Sequence, residues 1–163
     1  MSTHTRNLSE VVDSIIGILK EPEHRTSIGL TNKYPEGSPN EFGIFFGDEM
    51  GGFTHLPVLV VEGTTATSDI TQVGFKTRNE FGVSLTVCHA DLAQASSDVR
   101  RECLKRVETV RDILHKDLTA GGKVIYGYVT SIEQGYIPTN DSLIFSHRLL
   151  WYGMNKLLLQ ERN

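Results

Sequence analysis

The sequence predicts an α+β fold, a mostly antiparallel β-sheet with two main helices packed against it, in the order α-β-β-β-β-α-β-β. Three observations predict it. Apolar residues recur at helical spacing in one stretch near the start and one past the middle. Between and after these stretches they alternate as in half-buried strands. The strand-like segments arrive in runs instead of alternating singly with helices, which is the pattern of antiparallel pairing.

Asn7 to Lys20 reads as the first helix, because Leu8, Val11, Val12, Ile15, Ile16 and Leu19 fall on one stripe. Asn7 is its expected cap, with Glu10 three residues on in a variant of the capping box, and Pro22 its stop. Gly17 costs this helix about 1 kcal/mol against Ala, which implies a close contact on its face. Arg25 to Asn40 reads as irregular, with a short strand at Ser27 to Thr31 and turn formers from Tyr34 to Asn40. Glu41 to Gly47 and Leu56 to Gly63 read as strands, separated by a turn-rich break at Asp48 to Gly52. Asp69 to Ala90 reads as a hairpin turning at Arg78-Asn79-Glu80, with Phe81, Val83, Leu85 and Val87 alternating on one face. Gly82, Ser84, Thr86 and Cys88 make the other face small enough for another layer to approach. A long helix follows at about 96–117, capped by Ser96 or Ser97 and laced by Glu102–Arg106 and Asp112–Lys116 pairs. After Gly121-Gly122, Val124 to Ile132 and Leu143 to Tyr152 form a closing strand pair, about 123–152.

A length of 163 residues matches a single domain over 1–163, and 39% hydrophobic with 22% charged residues argues against disorder. The longest aliphatic run, around Leu59-Val60-Val61, is too short to span a membrane, and no secretory signal opens the chain, so an intracellular protein is expected. Two cysteines, Cys88 and Cys103, build neither a disulfide framework nor a zinc ribbon. A net charge of −4 does not point to a dedicated nucleic-acid-binding module, which usually carries a basic surplus. The charge is unevenly spread: Tyr34 to Phe75 holds no Lys or Arg but six acidic residues, while basic residues gather in Arg100 to Lys123. Such an acidic stretch repels DNA or steers a basic partner.

No catalytic or metal-binding pattern emerges, and no cofactor is expected. The six histidines form no helical metal pair, no Gly-x-Ser-x-Gly elbow is present, and neither glycine cluster builds a phosphate loop. His115, with Asp112 or Asp117, is the one acid–base grouping, and Cys88 with His147 the one thiol–imidazole combination worth testing. The aromatic residues read either as ordinary sheet packing or as subunit contact. Tyr34, Phe45 and Phe53 crowd the acidic, turn-rich region, and Tyr136 and Trp151 lie on the closing strands, so these five are the candidate interface residues. Two long connections, Glu21 to Asn40 and Asp48 to His55, are long enough to reach a neighbouring chain.

The opening helix at Asn7 to Lys20 and the run VETVRDILHKDLTAGGKVIYGYVTSIEQGYIPTNDSLIFSHRLLWYGMNK, Val107 to Lys156, together resemble the tail terminator, or tail completion, proteins of long-tailed bacteriophages. The likeness is one of architecture: a helix ending in a basic turn, Gly-Gly, a strand, a long loop and a last strand. It implies a virion structural protein without enzymatic activity or cofactor. It would form a ring, usually of six copies, on the end of the tail tube, stopping tube growth and meeting the neck or head connector. The implied partners are further copies of itself, the tail tube protein, the connector, and DNA passing without sequence-specific contact. No membrane is involved, and the implied location is the tail of the virion, with the host cytoplasm during assembly. Six copies of net charge −4 would carry about 24 negative charges around the passage, with Asp48 and Glu49 as candidate channel-lining residues. Another neck or stopper subunit, a small α+β enzyme using His115, and a ligand-binding module are the alternative readings.

Overall fold

A first helix, α1, spans Leu8–Leu19 in the computed structural model of the chain, which describes residues 4–30, 44–46, 57–72, 76–89, 96–138 and 143–158. Its stripe of Val11, Val12, Ile15 and Leu19 is fully buried. The N-terminus of α1 is organised differently from a side-chain cap. Asn7 makes no bond to a helix amide; its Nδ2 donates to Glu10 Oε1 at 3.3 Å, and Thr5 Oγ1 donates to the other carboxylate oxygen. These bonds hold the Glu10 carboxyl below its ordinary range, Thr5 contributing most. Gly17 is exposed, and a Cβ there would meet nothing within 4 Å, so the close contact expected at this glycine is absent.

The region expected to be irregular opens with a second helix, α2, Pro22–Ile28. Pro22 does not merely end α1: it stands in the first turn of α2, where a missing amide proton costs nothing. Gly29 closes α2 with φ 85°, a left-handed conformation suited to glycine. The strand expected at Ser27 to Thr31 is therefore not formed over the described part of that stretch. The turn-rich segments Tyr34 to Asn40 and Asp48 to Gly52 lie outside the described residues.

The strands form one five-stranded sheet. In chain order they are β1 (Ile44–Phe46), β2 (Val58–Gln72), β3 (Lys76–His89), β4 (Tyr126–Pro138) and β5 (Leu143–Leu158). The spatial order is β1-β2-β3-β5-β4, with β1 parallel to β2 and the other four strands antiparallel. β2 and β3 are longer than expected. Arg78, Asn79 and Glu80 do not turn the chain; they sit inside β3, opposite Asp69, Ser68 and Thr67. The alternation of Val73, Phe75 and Thr77 masked this, because a polar triplet amid apolar alternation reads as a turn, whereas here Asn79 is a buried strand residue. β4 likewise runs through Gly135 to Pro138, which were assigned to a loop.

The long helix, α3, spans Ser96–Lys116. α1 lies over β2, α3 over β3, β5 and β4, and both cover the same face of the sheet. The core forms between them: Val107, Val110 and Leu114 of α3 meet Val83, Leu85 and Leu149 of the sheet. Each such fully buried aliphatic side chain stabilises the fold by about 1.5–3 kcal/mol. The two expected i,i+4 ion pairs on α3 do not form. Glu102 turns to His89 at 3.2 Å, Arg106 donates to the Ile28 carbonyl at 2.7 Å and so fastens α2, and Asp112 pairs with Arg111.

Candidate interaction surface

The second face of the sheet carries no described helix. On it the register sets Val60, Thr86, Arg148 and Glu133 in one row and Glu62, Ser84, Leu150 and Ser131 in the next. The face is concave around Arg148, enclosing about 470 Å³ bounded by Glu62, Thr86, Glu133, Tyr136 and Arg148. One end holds a tyrosine cluster: Tyr126, Tyr128 and Tyr152 lie with ring centroids 6.0–6.5 Å apart. Tyr152 donates to Glu80 at 2.8 Å, and Glu80 also pairs with Arg78 at 2.9 Å.

The β4 edge of the sheet is the more distinctive surface. Among the described residues five large hydrophobic side chains are exposed, and four of them, Leu118, Ile125, Tyr128 and Tyr136, lie along or beside β4; the fifth is Leu104 on α3. Gly127 donates its amide to the Leu118 carbonyl, which folds the α3–β4 connection against the strand and sets Leu118 beside β4. Asp117 shapes that connection, accepting from the Thr119 amide and hydroxyl with one oxygen and from the Gly121 amide with the other. These bonds, Thr119 foremost, hold its carboxyl below the ordinary range.

Groups capable of chemistry are engaged elsewhere. His115 accepts the Val129 amide proton on Nε2 at 3.0 Å, Asp112 faces Arg111, and Asp117 is bound into its turn, so the three do not converge. Cys88 and His147 point to opposite faces of the sheet, since Cys88 pairs with Ser146 and His147 with Val87. Burial pushes the Cys88 thiol up to about 11 and the Cys103 thiol up to about 12, which removes thiolate character at neutral pH. Glu21, Glu23 and His24 form the one grouping of metal-ligand types among the described residues; it is largely exposed, and His24 Nδ1 already lies 2.7 Å from the Ile18 carbonyl.

No known protein family matches the chain, and no curated protein does either.

The expected interface residues divide. Tyr136 is exposed at 64%. Trp151 is in the core at 3% exposure and presents no ring to a neighbour: Gly127 and Gly153 leave the slot it fills, a packing that its strand position alone does not reveal. Phe45 lies in β1 opposite Val60, with its backbone placed. Tyr34, Phe53, Asp48 and Glu49 lie outside the described residues. The surface also includes two positions that the sequence reading passed over, Leu118 and Ile125. The available signal was their apolar character on either side of Gly121-Gly122. Among the described residues no helix is long and apolar enough to cross a membrane.

Proposed function

We propose that the chain is a structural subunit of a long-tailed bacteriophage, assembling into a ring that ends the tail tube and joins it to the neck. The observation that carries the reading is that four of the five exposed large hydrophobic side chains among the described residues lie along or beside the β4 edge. A sheet edge bearing such a patch calls for cover by another chain. The resemblance of the opening helix and of Val107 to Lys156 to tail terminators supplies the kind of assembly. The uneven charge supports it further. A ring closes through two unlike patches on each subunit, and the sequence holds two stretches of unlike charge, acidic from Tyr34 to Phe75 and basic from Arg100 to Lys123. The burial of both thiols and the separate employment of His115, Asp112 and Asp117 agree with a structural role.

The test is tube growth. Purified chain added to polymerising tail tube protein should cap tubes and narrow their length distribution, with rings visible by negative stain at the tube ends. Tubes of unchanged length, with no ring on them, overturn the reading. Binding to the connector without any effect on tube length moves the chain to the neck or stopper role.

A further inference from the structure

Among the described residues the sheet has two partly open edges, and they are of opposite kind. On β4 the outward amides of Gly127 and Val129 are taken up by the Leu118 carbonyl and by His115 Nε2. A register shift between Val129 and Ser131 then sets Ser131, Glu133 and Gly135 toward β5, so the amides of Ile132, Gln134 and Tyr136 point away from the sheet. None of these three amides has a partner among the described residues. On the other side β1 covers β2 only at Leu59 to Val61. Beyond Val61 the register to β3 leaves the amides of Ala66 and Ser68 pointing outward, again without a described partner. This stretch, Glu-Gly-Thr-Thr-Ala-Thr-Ser-Asp from 62 to 69, is rich in β-branched Thr, is largely exposed, and carries acid but no base.

Direction and charge fit these two edges to each other. β2 runs opposite to β3, β3 to β5 and β5 to β4, so β2 and β4 themselves run opposite ways. A second copy turned about an axis along the strands therefore offers its β2 antiparallel to the first copy's β4. The acidic Glu62 and Asp69 of β2 then lie on the face of the sheet that carries Arg148, which stands across from Glu133 without a described ion pair.

We infer that copies of this chain associate head to tail by strand addition, the free edge of β2 in one copy, Glu62 to Asp69, pairing with the open half of β4 in the next, Ile132 to Tyr136. The inference rests on the proposed ring in taking the neighbour to be another copy of the same chain. Antiparallel strand addition satisfies the outward amides of both edges at once. Pairing two unlike edges propagates from copy to copy, as a ring requires, whereas pairing β4 with β4 would stop at a dimer.

The experiment uses two variants, each placing proline at an outward amide that the chain's own ladder does not use: Gln134→Pro on β4 and Ala66→Pro on β2. Light scattering gives the mass of the wild type, of each variant alone and of an equimolar mixture, and circular dichroism with Trp151 fluorescence verifies that each variant is folded. A charge variant, Glu62→Lys with Asp69→Lys, tests the β2 edge without proline. The wild type should form a closed oligomer, each variant alone should be monomeric, and the mixture should stop at a one-to-one dimer through the one intact pair of edges. The charge variant should lose at least tenfold in association affinity. A wild type that remains monomeric overturns strand addition as the basis of self-association, and capping of tubes by that same monomer would leave the terminator reading standing. Variants that still assemble alone overturn it as well, as does an Ala66→Pro chain that dimerises while Gln134→Pro does not, which is the signature of β4–β4 pairing. If the wild type assembles by these edges yet never alters tube length, the pairing holds and the terminator reading falls.

Discussion

The indole of Trp151 occupies the space a side chain at Gly127 would need: a Cβ there would stand 2.1 Å from the ring. Gly153, two residues beyond the tryptophan and opposite Gly127 in the ladder, is excluded in the same way at 2.3 Å. Trp151 is the chain's single tryptophan, so its fluorescence reports this slot directly. Gly127→Ala forces the ring or β4 to move and should lower stability by about 1–3 kcal/mol, the usual cost of overpacking. Urea unfolding followed by tryptophan emission measures it; a change below about 0.5 kcal/mol would show that the slot is roomier than the structure has it.

Gly17 presents the opposite case. It lies inside α1 with open space where a Cβ would go. Gly17→Ala should therefore stabilise the protein by about 0.5–1 kcal/mol, through helix propensity and a less flexible unfolded chain. The same urea titration should show a higher midpoint with an unchanged slope.

His115 serves the β4 edge. Its Nε2 accepts the Val129 amide at 3.0 Å, and the exposed imidazole thereby occupies a backbone donor that would otherwise face outward. His115→Ala should cost about 1 kcal/mol or less, since water can replace an exposed acceptor. It should also speed hydrogen exchange at the Val129 amide specifically, while the Gly127 amide, held by the Leu118 carbonyl, keeps its protection.

These cases show which parts of the structure a sequence can disclose. The two long helices were legible because their stripes are local and periodic: Val11, Val12, Ile15 and Leu19 state one face of α1 without help from the rest of the chain. The α+β class followed from the same periodicities. What escaped depends on partners distant in sequence. Asn79 looks like a turn residue until Asn155 lies beside it, and Trp151 looks like an interface aromatic until two glycines leave it a slot. Pro22 and Gly29 bracket a seven-residue helix too short for periodicity to register. Of the candidate surface, Tyr136 was legible as an aromatic of the closing strand pair, whereas Leu118 comes to the β4 edge only because the α3–β4 connection folds back on Gly127.

Asn155 is the buried polar hub of the fold. Its Nδ2 donates to the Thr5 carbonyl at 2.6 Å and to the Lys123 carbonyl at 3.2 Å, and its Oδ1 accepts from Asn79 at 3.1 Å. It thereby ties the residues before α1, the turn before β4 and the middle of the sheet to one side chain. Asn155→Ala leaves the Thr5 carbonyl without a partner, leaves the Lys123 carbonyl only the Thr5 amide and leaves Asn79 Nδ2 only the Thr77 hydroxyl, at a cost of about 1–3 kcal/mol. Thr5 should detach first, so limited proteolysis near the N-terminus should accelerate before global unfolding does. An Asn155→Ala protein with unchanged stability and unchanged cleavage would mean that water replaces the hub without loss.

His147 gives the protein an acid-sensitive arm. The residue is 1% exposed, and neither ring nitrogen has a partner among the described residues. Burial, seconded by the Arg100 guanidinium on α3 and opposed by the Glu108 carboxylate, holds its pKa below the ordinary histidine value. Cys103 of α3, its thiol pushed up and uncharged, and Gln134 of β4, paired with His147 in the ladder, offer no compensating charge. In the unfolded chain the imidazole takes up a proton near pH 6.5, whereas in the folded chain it does so only at lower pH. Between those two values the unfolded state binds more protons, so stability rises with pH across that window and is lost as pH falls through it. The stability attributable to neutral His147 is thus complete above about pH 6.5 and declines below it, with a slope of at most about 1.4 kcal/mol per pH unit. His147→Leu removes both the titration and two unpartnered polar atoms. The variant should be at least as stable as the wild type at pH 7.5, and its advantage should widen as the pH is lowered from 6.5. Urea midpoints of the two proteins measured at intervals from pH 8 to pH 5 decide the matter: parallel profiles would mean that the His147 imidazole is protonated as readily in the folded protein as in the unfolded chain.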